Sequence, residues 1–394
     1  MTPAKDSDRH APEPPLHVVF LSSHDPLDVH AFSSTIFYMA RALQAVFPDL
    51  EIVRETRPPW FRRLQRLVRR TTQERADPFY WPAFNRLFAR QLARRWRGKR
   101  VLVIAVVASP LAGELADYVP VLNLTDATFV LMRNFYENFA RYGRRTAEWV
   151  EEGERRTIVR AVHNSFSSRW AADSAVDHYG APKEDVSAVS WGCNLDDVPI
   201  AEARLASPTG KSCRLLFLGV DWQRKGGDVV VAAAGMLVRK GILVDVDLVG
   251  ATPPEALSSA PWLHNRGFLS KADPEQFGRL RALLRDADFL FLPTRQDCTP
   301  MVFSEANAFG TPVVTRAVGG VADVVRDGVN GIVLPEDASP AAFADAIAAA
   351  WSDPDRYRQL REGARRTYDE RLNWTKWAEE IAAIIRELEA RRRI

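Results

Sequence analysis

The chain has 394 residues, 46% hydrophobic and 26% charged, which is too long for one ordinary core and matches two globular domains rather than a disordered or fibrous chain. Fifty-three basic against fifty acidic residues leave a net charge of +3, so the overall balance makes no case for nucleic acid and any electrostatic argument must be local. Three cysteines, Cys193, Cys213 and Cys298, show no C-x-x-C spacing and cannot all pair, which fits a reducing compartment and argues against a thiolate metal site.

In chain order, residues 1–15 are polar and proline-rich without an apolar core and read as a disordered tail, not a signal peptide. Short apolar runs then alternate with helical patterns: 18–21, 101–108, 119–124 and 158–162, followed by 215–219, 244–250, 289–293, 312–315 and 332–334. Helical stretches at 226–240 and 274–285 fall between the later runs. Fully apolar strands that alternate with helices predict parallel sheets covered on both faces, hence an α/β chain with two Rossmann-like doubly wound domains. The longest run, 101–108, is strand-sized and far short of a membrane span, and the expected location is the cytoplasm.

Turn formers without periodicity at 199–212 mark the boundary. The reading is a tail over 1–15, an N-terminal domain over 16–200, a C-terminal domain over 201–373 and a last helix over 374–394, whose stripe of Trp374, Trp377, Ile381 and Ile384 must dock on something. Between Arg54 and Arg100 stand fifteen basic residues against Glu55, Glu74 and Asp77. With Trp60, Phe61, Leu64, Leu67 and Val68 interleaved, the part from Arg54 to Arg75 is either a basic amphipathic helix for an anionic membrane or a solvated face lying on its aliphatic stems, the second being favoured.

The sharpest segment is 290–314, LFLPTRQDCTPMVFSEANAFGTPVV. An apolar strand, a turn with Asp297, and Thr299-Pro300 predict a helix capped by Thr299 with Pro300 as its first residue. The N–H groups of Met301 and Val302, with the helix dipole, then make an anion site suited to a diphosphate. Glu305 leaves the same helix a turn later, placed to accept from a diol. In the loop at 215–228, LLFLGVDWQRKGGD, Arg224 and Lys225 follow Gly219 at the edge where doubly wound sheets bind ligands.

Together these segments resemble the family 4 retaining glycosyltransferases, in which two acids with seven residues between them precede a Gly-x-Pro-Val-Val stretch. Here the acids are Asp297 and Glu305, followed by Gly310-Thr311-Pro312-Val313-Val314. The resemblance extends to Gly319-Gly320, to the turn 327–331 and to 189–194. It implies a GT-B fold with an acceptor-binding first domain, a nucleotide-sugar-binding second domain and the last helix crossing back onto the first. It also implies a nucleotide-diphosphate sugar as donor, no cofactor or metal, diphosphate contacts from Arg224, Lys225, Thr299, Met301 and Val302, ribose held by Glu305, and Asp297 near the transferred sugar. Departures are Asp297 where Glu is usual, Cys298 and Pro300 for glycines, Val220 where an Arg is usual, and Ser33-Ser34 where the first domain has glycine. Asp126 stands in Thr125-Asp126 where many members have His-Asp, and is either a polar contact to sugar or acceptor or a cap on the next turn.

Two Asp-x-Asp pairs, 245–247 and 286–288, lack neighbouring ligands at metal spacing, and His163 and His178 read as structural. A catalytic nucleophile is not required, because the departing diphosphate can take the acceptor proton on the same face. The expected function is a retaining transferase with an unspecified acceptor; the alternative is a non-catalytic nucleotide-sugar-binding subunit. A dinucleotide oxidoreductase is disfavoured, since no G-x-G-x-x-G follows the first strand.

Overall fold

A chain with this many short β-branched runs separated by helices closes its backbone hydrogen bonds most economically as parallel sheets, and two form. The structure, a computed structural model, describes residues 14–394 apart from 74, 108, 197, 201–204, 206–209 and 258–259. The tail expected over 1–15 and the boundary at 199–212 therefore lie mostly outside the described residues.

The first sheet comprises β1 (His17–Ser22), β2 (Glu51–Arg54), β3 (Val101–Val106), β4 (Val121–Thr125), β5 (His163–Phe166) and β6 (Val186–Ala188), in the order β2-β1-β3-β4-β5-β6. The second comprises β7 (Cys213–Gly219), β8 (Val244–Gly250), β9 (Leu263–Asn265), β10 (Phe289–Phe291), β11 (Val313–Arg316) and β12 (Gly331–Leu334), ordered β12-β11-β10-β7-β8-β9. Every strand pair is parallel. All six residues of β3 are buried, as expected for a central strand covered on both faces. The chain winds in opposite senses on either side of β1/β3 and of β7/β10, so the loops leaving those strands splay apart and open a crevice at the carboxyl edge of each sheet.

One expected strand is corrected. Residues 158–162 are not a strand: the helix Arg144–Arg160 takes in 158–160 and β5 begins at His163. The sequence HNSF is polar, yet Asn164 is fully buried because its amide donates to the Ile158 carbonyl at 2.8 Å and accepts from Asn123 at 3.1 Å. A test for apolar runs cannot see a strand whose buried groups are satisfied by hydrogen bonds.

The helix Trp374–Ala390 returns to the first domain. Trp374, Trp377, Ile381 and Ile385 join the cluster that contains Phe20, Ile36, Met39 and Leu43. The return is fastened at Asn194, whose amide nitrogen donates to the Ser33 carbonyl and Thr35 hydroxyl, each at 2.8 Å, while its oxygen accepts from Trp374 Nε1 at 3.2 Å. Ser33 and Ser34, where the resemblance leads one to expect glycine, and Phe32 before them have φ of 55, 70 and 49°. The loop thus keeps a left-handed course with side chains in place, at roughly 1–2 kcal/mol per residue.

All three cysteines are free and buried. Among the described residues no helix is long and apolar enough to cross a membrane.

Candidate active site

The carboxyl edges of the two sheets face one another across a cleft of 1510 Å³. Its C-terminal wall comes from the loops after β7, β9 and β10, of which β7 and β10 flank the switch point of the second sheet. The loops after β7 and β10 are tied together: the Arg295 N–H donates to the Arg224 carbonyl at 2.8 Å. Gly226, at φ +77°, lets the first loop press against the Pro293 carbonyl, where a Cβ would collide.

That approach brings the predicted residues of two separate segments into contact. Lys225 Nζ donates to Asp297 Oδ2, and Arg224 Nη1 lies 3.9 Å from the same oxygen while donating to the Gln296 carbonyl at 3.0 Å. Arg224 also pairs with Asp221 at 3.3 Å and its guanidinium sits 5.7 Å from the Tyr136 ring. Asp297 is 7% exposed, so its charge is compensated by cations where water is scarce. Val220, where the family has a cation, is exposed on the cleft wall.

The helix Met301–Ala308 starts one residue later than expected. Pro300 is the N-cap, without a side-chain cap, and Thr299 is not the cap; its hydroxyl bonds instead to Ser167 across the cleft, and Ser167 in turn donates to the Asp126 carbonyl at 3.2 Å. The Phe303 N–H closes on Pro300 at 3.0 Å, and the N–H groups of Met301 and Val302, ahead of it, have no intrahelical acceptor. Both residues line the cleft.

Glu305, on the same helix, is 1% exposed and lines the cleft. Its Oε1 is paired with Lys271 Nζ, whereas Oε2 has no hydrogen-bond partner among the described residues. Burial pushes the carboxyl above its ordinary range and Lys271 pulls it back. A buried acceptor left open in this way is costly unless a ligand donor meets it. Lys271 was not singled out from the sequence: it sits in the loop after β9, 34 residues from its partner, and nothing in its local context sets it apart from a surface lysine.

Gly219 lines the cleft, but Gly319 and Gly320 are not among its lining residues. They lie behind the acid loop, where a Cβ on Gly319 would fall on the Asp297 carbonyl and one on Gly320 on the Cys298 carbonyl. Asp126 faces the cleft from the first domain; burial raises it to about 6, with the Asp297 charge adding to the rise, while its own N–H and that of Ala127 hold it back. The aspartates of the two Asp-x-Asp pairs are engaged elsewhere, Asp245 with Ser212 and His264, Asp247 with Arg266, Asp286 with Arg285 and Asp288 with Tyr357. His163 bonds Ser187 and His178 bonds Glu151.

Residues 212–353 match the family described as glycosyl transferases group 1. D-inositol 3-phosphate glycosyltransferase 1 of Catenulispora acidiphila is 31% identical over 250 residues, 59% of either chain, and the Geodermatophilus obscurus D-inositol 3-phosphate glycosyltransferase is 33% identical over 59% of this chain and 54% of its own. The match thus spans less than two thirds of those relatives. Among solved structures, Anabaena HepE in complex with UDP superposes with a TM-score of 0.65 at 15% identity over 94% of this chain and 100% of that one. Sucrose-phosphate synthase from Thermosynechococcus elongatus gives 0.66 at 17% identity over 95% and 99%. At such identities the likeness concerns the fold, the GT-B pairing of two doubly wound domains across a cleft.

Proposed function

We propose, on the premise of the match of residues 212–353 to the group 1 glycosyl transferases, that the protein is a retaining glycosyltransferase that moves a sugar from a nucleoside-diphosphate donor to a hydroxyl acceptor. The observation that carries this reading is the pair of buried acids on adjoining turns, Asp297 compensated by Lys225 and Glu305 with one oxygen left open, at the mouth of a helix and at the switch point of a parallel sheet.

In this reading Lys225, Arg224 and the N–H groups of Met301 and Val302 hold the diphosphate and stabilise its charge as the glycosidic bond breaks. Glu305 Oε2 accepts from a ribose hydroxyl. Asp297 lies beside the transferred sugar, and Asp126 faces it from the other domain. The cations are supplied by side chains, so the reaction as proposed calls for no metal, and the leaving phosphate oxygen takes the acceptor proton. UDP is the first nucleotide to test, since it is bound in the Anabaena structure of the same fold.

The test is calorimetric titration with UDP, GDP and ADP, together with release of free nucleotide from the matching sugar donors. One nucleotide should bind, and Lys225→Ala should weaken it by about 1.5–3 kcal/mol, the worth of a charge-assisted hydrogen bond. Binding without any slow donor hydrolysis would favour a non-catalytic subunit; no binding of any nucleotide would sink the reading.

Peripheral contact with an anionic membrane is also proposed. The helix Pro59–Thr71 contains no acidic residue, and exposes Arg62, Arg63, Arg66, Arg69 and Arg70 with Trp60 and Leu67 at 50 and 60% exposure. Binding to anionic vesicles should fade as salt rises, because charges are screened beyond about 10 Å at 0.1 M. Equal binding to neutral vesicles would leave only a solvated face.

A further inference from the structure

The two sides of the cleft differ in charge. On the C-terminal side Arg224, Lys225 and Lys271 are balanced by Asp221, Asp297 and Glu305; on the N-terminal side the wall carries an excess of acids, Glu114, Asp126, Glu152, Glu154 and Asp196. Among the described residues, the arginines lining that side are Arg41 and Arg156, with His24 and His30 on the loop after β1. Both arginines are committed, Arg41 to Asp196 at 2.7 Å and Arg156 to Glu114 and Glu152, each at 3.0 Å.

The same side is lined by Phe79, Tyr80, Phe129, Met132, Phe139 and Trp149. These rings form a continuous wall: Tyr136, beneath the Arg224 guanidinium, meets Phe139 at 6.5 Å between centroids, and Phe139 meets Phe129 at 6.4 Å. The wall thus starts beside the proposed diphosphate loop and runs into the N-terminal domain.

Resting on the transferase reading, we propose that this arm of the cleft holds the acceptor, and that the acceptor is an uncharged hydroxyl compound carrying an aromatic ring or alkyl chain rather than a phosphorylated polyol. A phosphate would bring a charge of about −1.5 to −2 to a wall whose two arginines are already paired with Asp196, Glu114 and Glu152, and its desolvation would go uncompensated. An apolar group gains contact area on the rings, and the polar wall groups serve the hydroxyls. The relatives named for D-inositol 3-phosphate therefore predict this chain's donor side better than its acceptor.

The test uses the full chain, saturated with whichever of UDP, GDP or ADP binds in the titration above. The probes are phenyl β-D-glucoside, octyl β-D-glucoside below its micelle threshold, glucose 6-phosphate and D-myo-inositol 3-phosphate. One or both glucosides should bind at least about tenfold more tightly than either phosphate; comparing the two identifies a ring or a chain as the apolar part. Phe139→Ala should weaken glucoside binding about fivefold or more, and Met132→Lys should weaken it while admitting the phosphates, both with unchanged nucleotide affinity as the check on folding. A phosphate that binds as tightly as the glucosides, no glucoside binding, or glucoside binding indifferent to both substitutions would overturn the proposal. If no nucleotide binds, the transferase reading fails instead, and the glucoside titration of the nucleotide-free chain still decides whether the wall is a binding surface.

Discussion

Two acids eight positions apart face different neighbours, and they should fail differently when neutralised. Asp297 is held by Lys225, so Asp297→Asn releases that lysine toward phosphate: nucleotide affinity should be unchanged or tighter while single-turnover rate falls about a hundredfold, the mark of an interaction felt in the transition state. Glu305→Gln leaves Lys271 without its counter-charge and should weaken free nucleotide and donor alike, by about 1.5–3 kcal/mol. Full turnover in Asp297→Asn would remove it from the chemistry. A third acid bears on stability. Burial raises Glu154 to about 7, although it accepts from the Phe129 N–H at 2.5 Å. A carboxyl raised on folding contributes stability that is complete below its unfolded value, near 4.5, and is lost as pH rises through its folded value. Asp126, raised to about 6, acts in the same sense. Urea midpoints should therefore fall between pH 5 and 8, and Glu154→Gln should flatten that fall by at most about 3 kcal/mol; an unaltered profile would show that Glu154 does not titrate in this window.

At the scale of elements, the acid loop owes its position to the turn packed behind it. Because a Cβ on Gly320 would overlap the Cys298 carbonyl, Gly320→Ala must displace either the turn or the loop that carries Asp297. A loss of more than about 2 kcal/mol of stability, with turnover reduced in whatever protein remains folded, is the expected outcome. Gly328→Ala is the control: its φ of +71° strains a side chain but nothing lies within 4 Å, so a penalty of only about 1 kcal/mol is expected. Equal effects of the two substitutions in a urea titration would mean that close approach at Gly320 does not matter.

For the whole molecule, the return of the helix Trp374–Ala390 makes the N-terminal core depend on the end of the chain. Trp377 is 1% exposed and packs edge-on against Trp374 at 5.1 Å, within the cluster that includes Phe20 and Ile36. Trp377→Ala should cost about 3–5 kcal/mol, seen as loss of the N-terminal domain at lower urea, while nucleotide affinity, proposed to reside in the other domain, persists in the folded fraction. Unchanged unfolding would mean that the helix only rests on the surface.

The α/β class, the two-domain plan and the strands β3 and β7 were legible in the sequence, because central parallel strands must be apolar on both faces and so leave runs that need no partner to be recognised. The helix start near Met301 was legible for a local reason as well, since turn formers and a proline state their own geometry, whereas Asp297, Glu305, Arg224 and Lys225 were singled out together through the family resemblance. What pairs with what was decided only by tertiary structure. Lys271 reaches Glu305 from another strand's loop, Thr299 meets Ser167 across the cleft instead of capping its helix, and Gly319 and Gly320 act from behind the site. β5 escaped detection because its buried polar groups are satisfied by residues distant in the chain. The aromatic, acidic wall of the cleft assembles from segments scattered between residues 79 and 196, and no window along the sequence contains it.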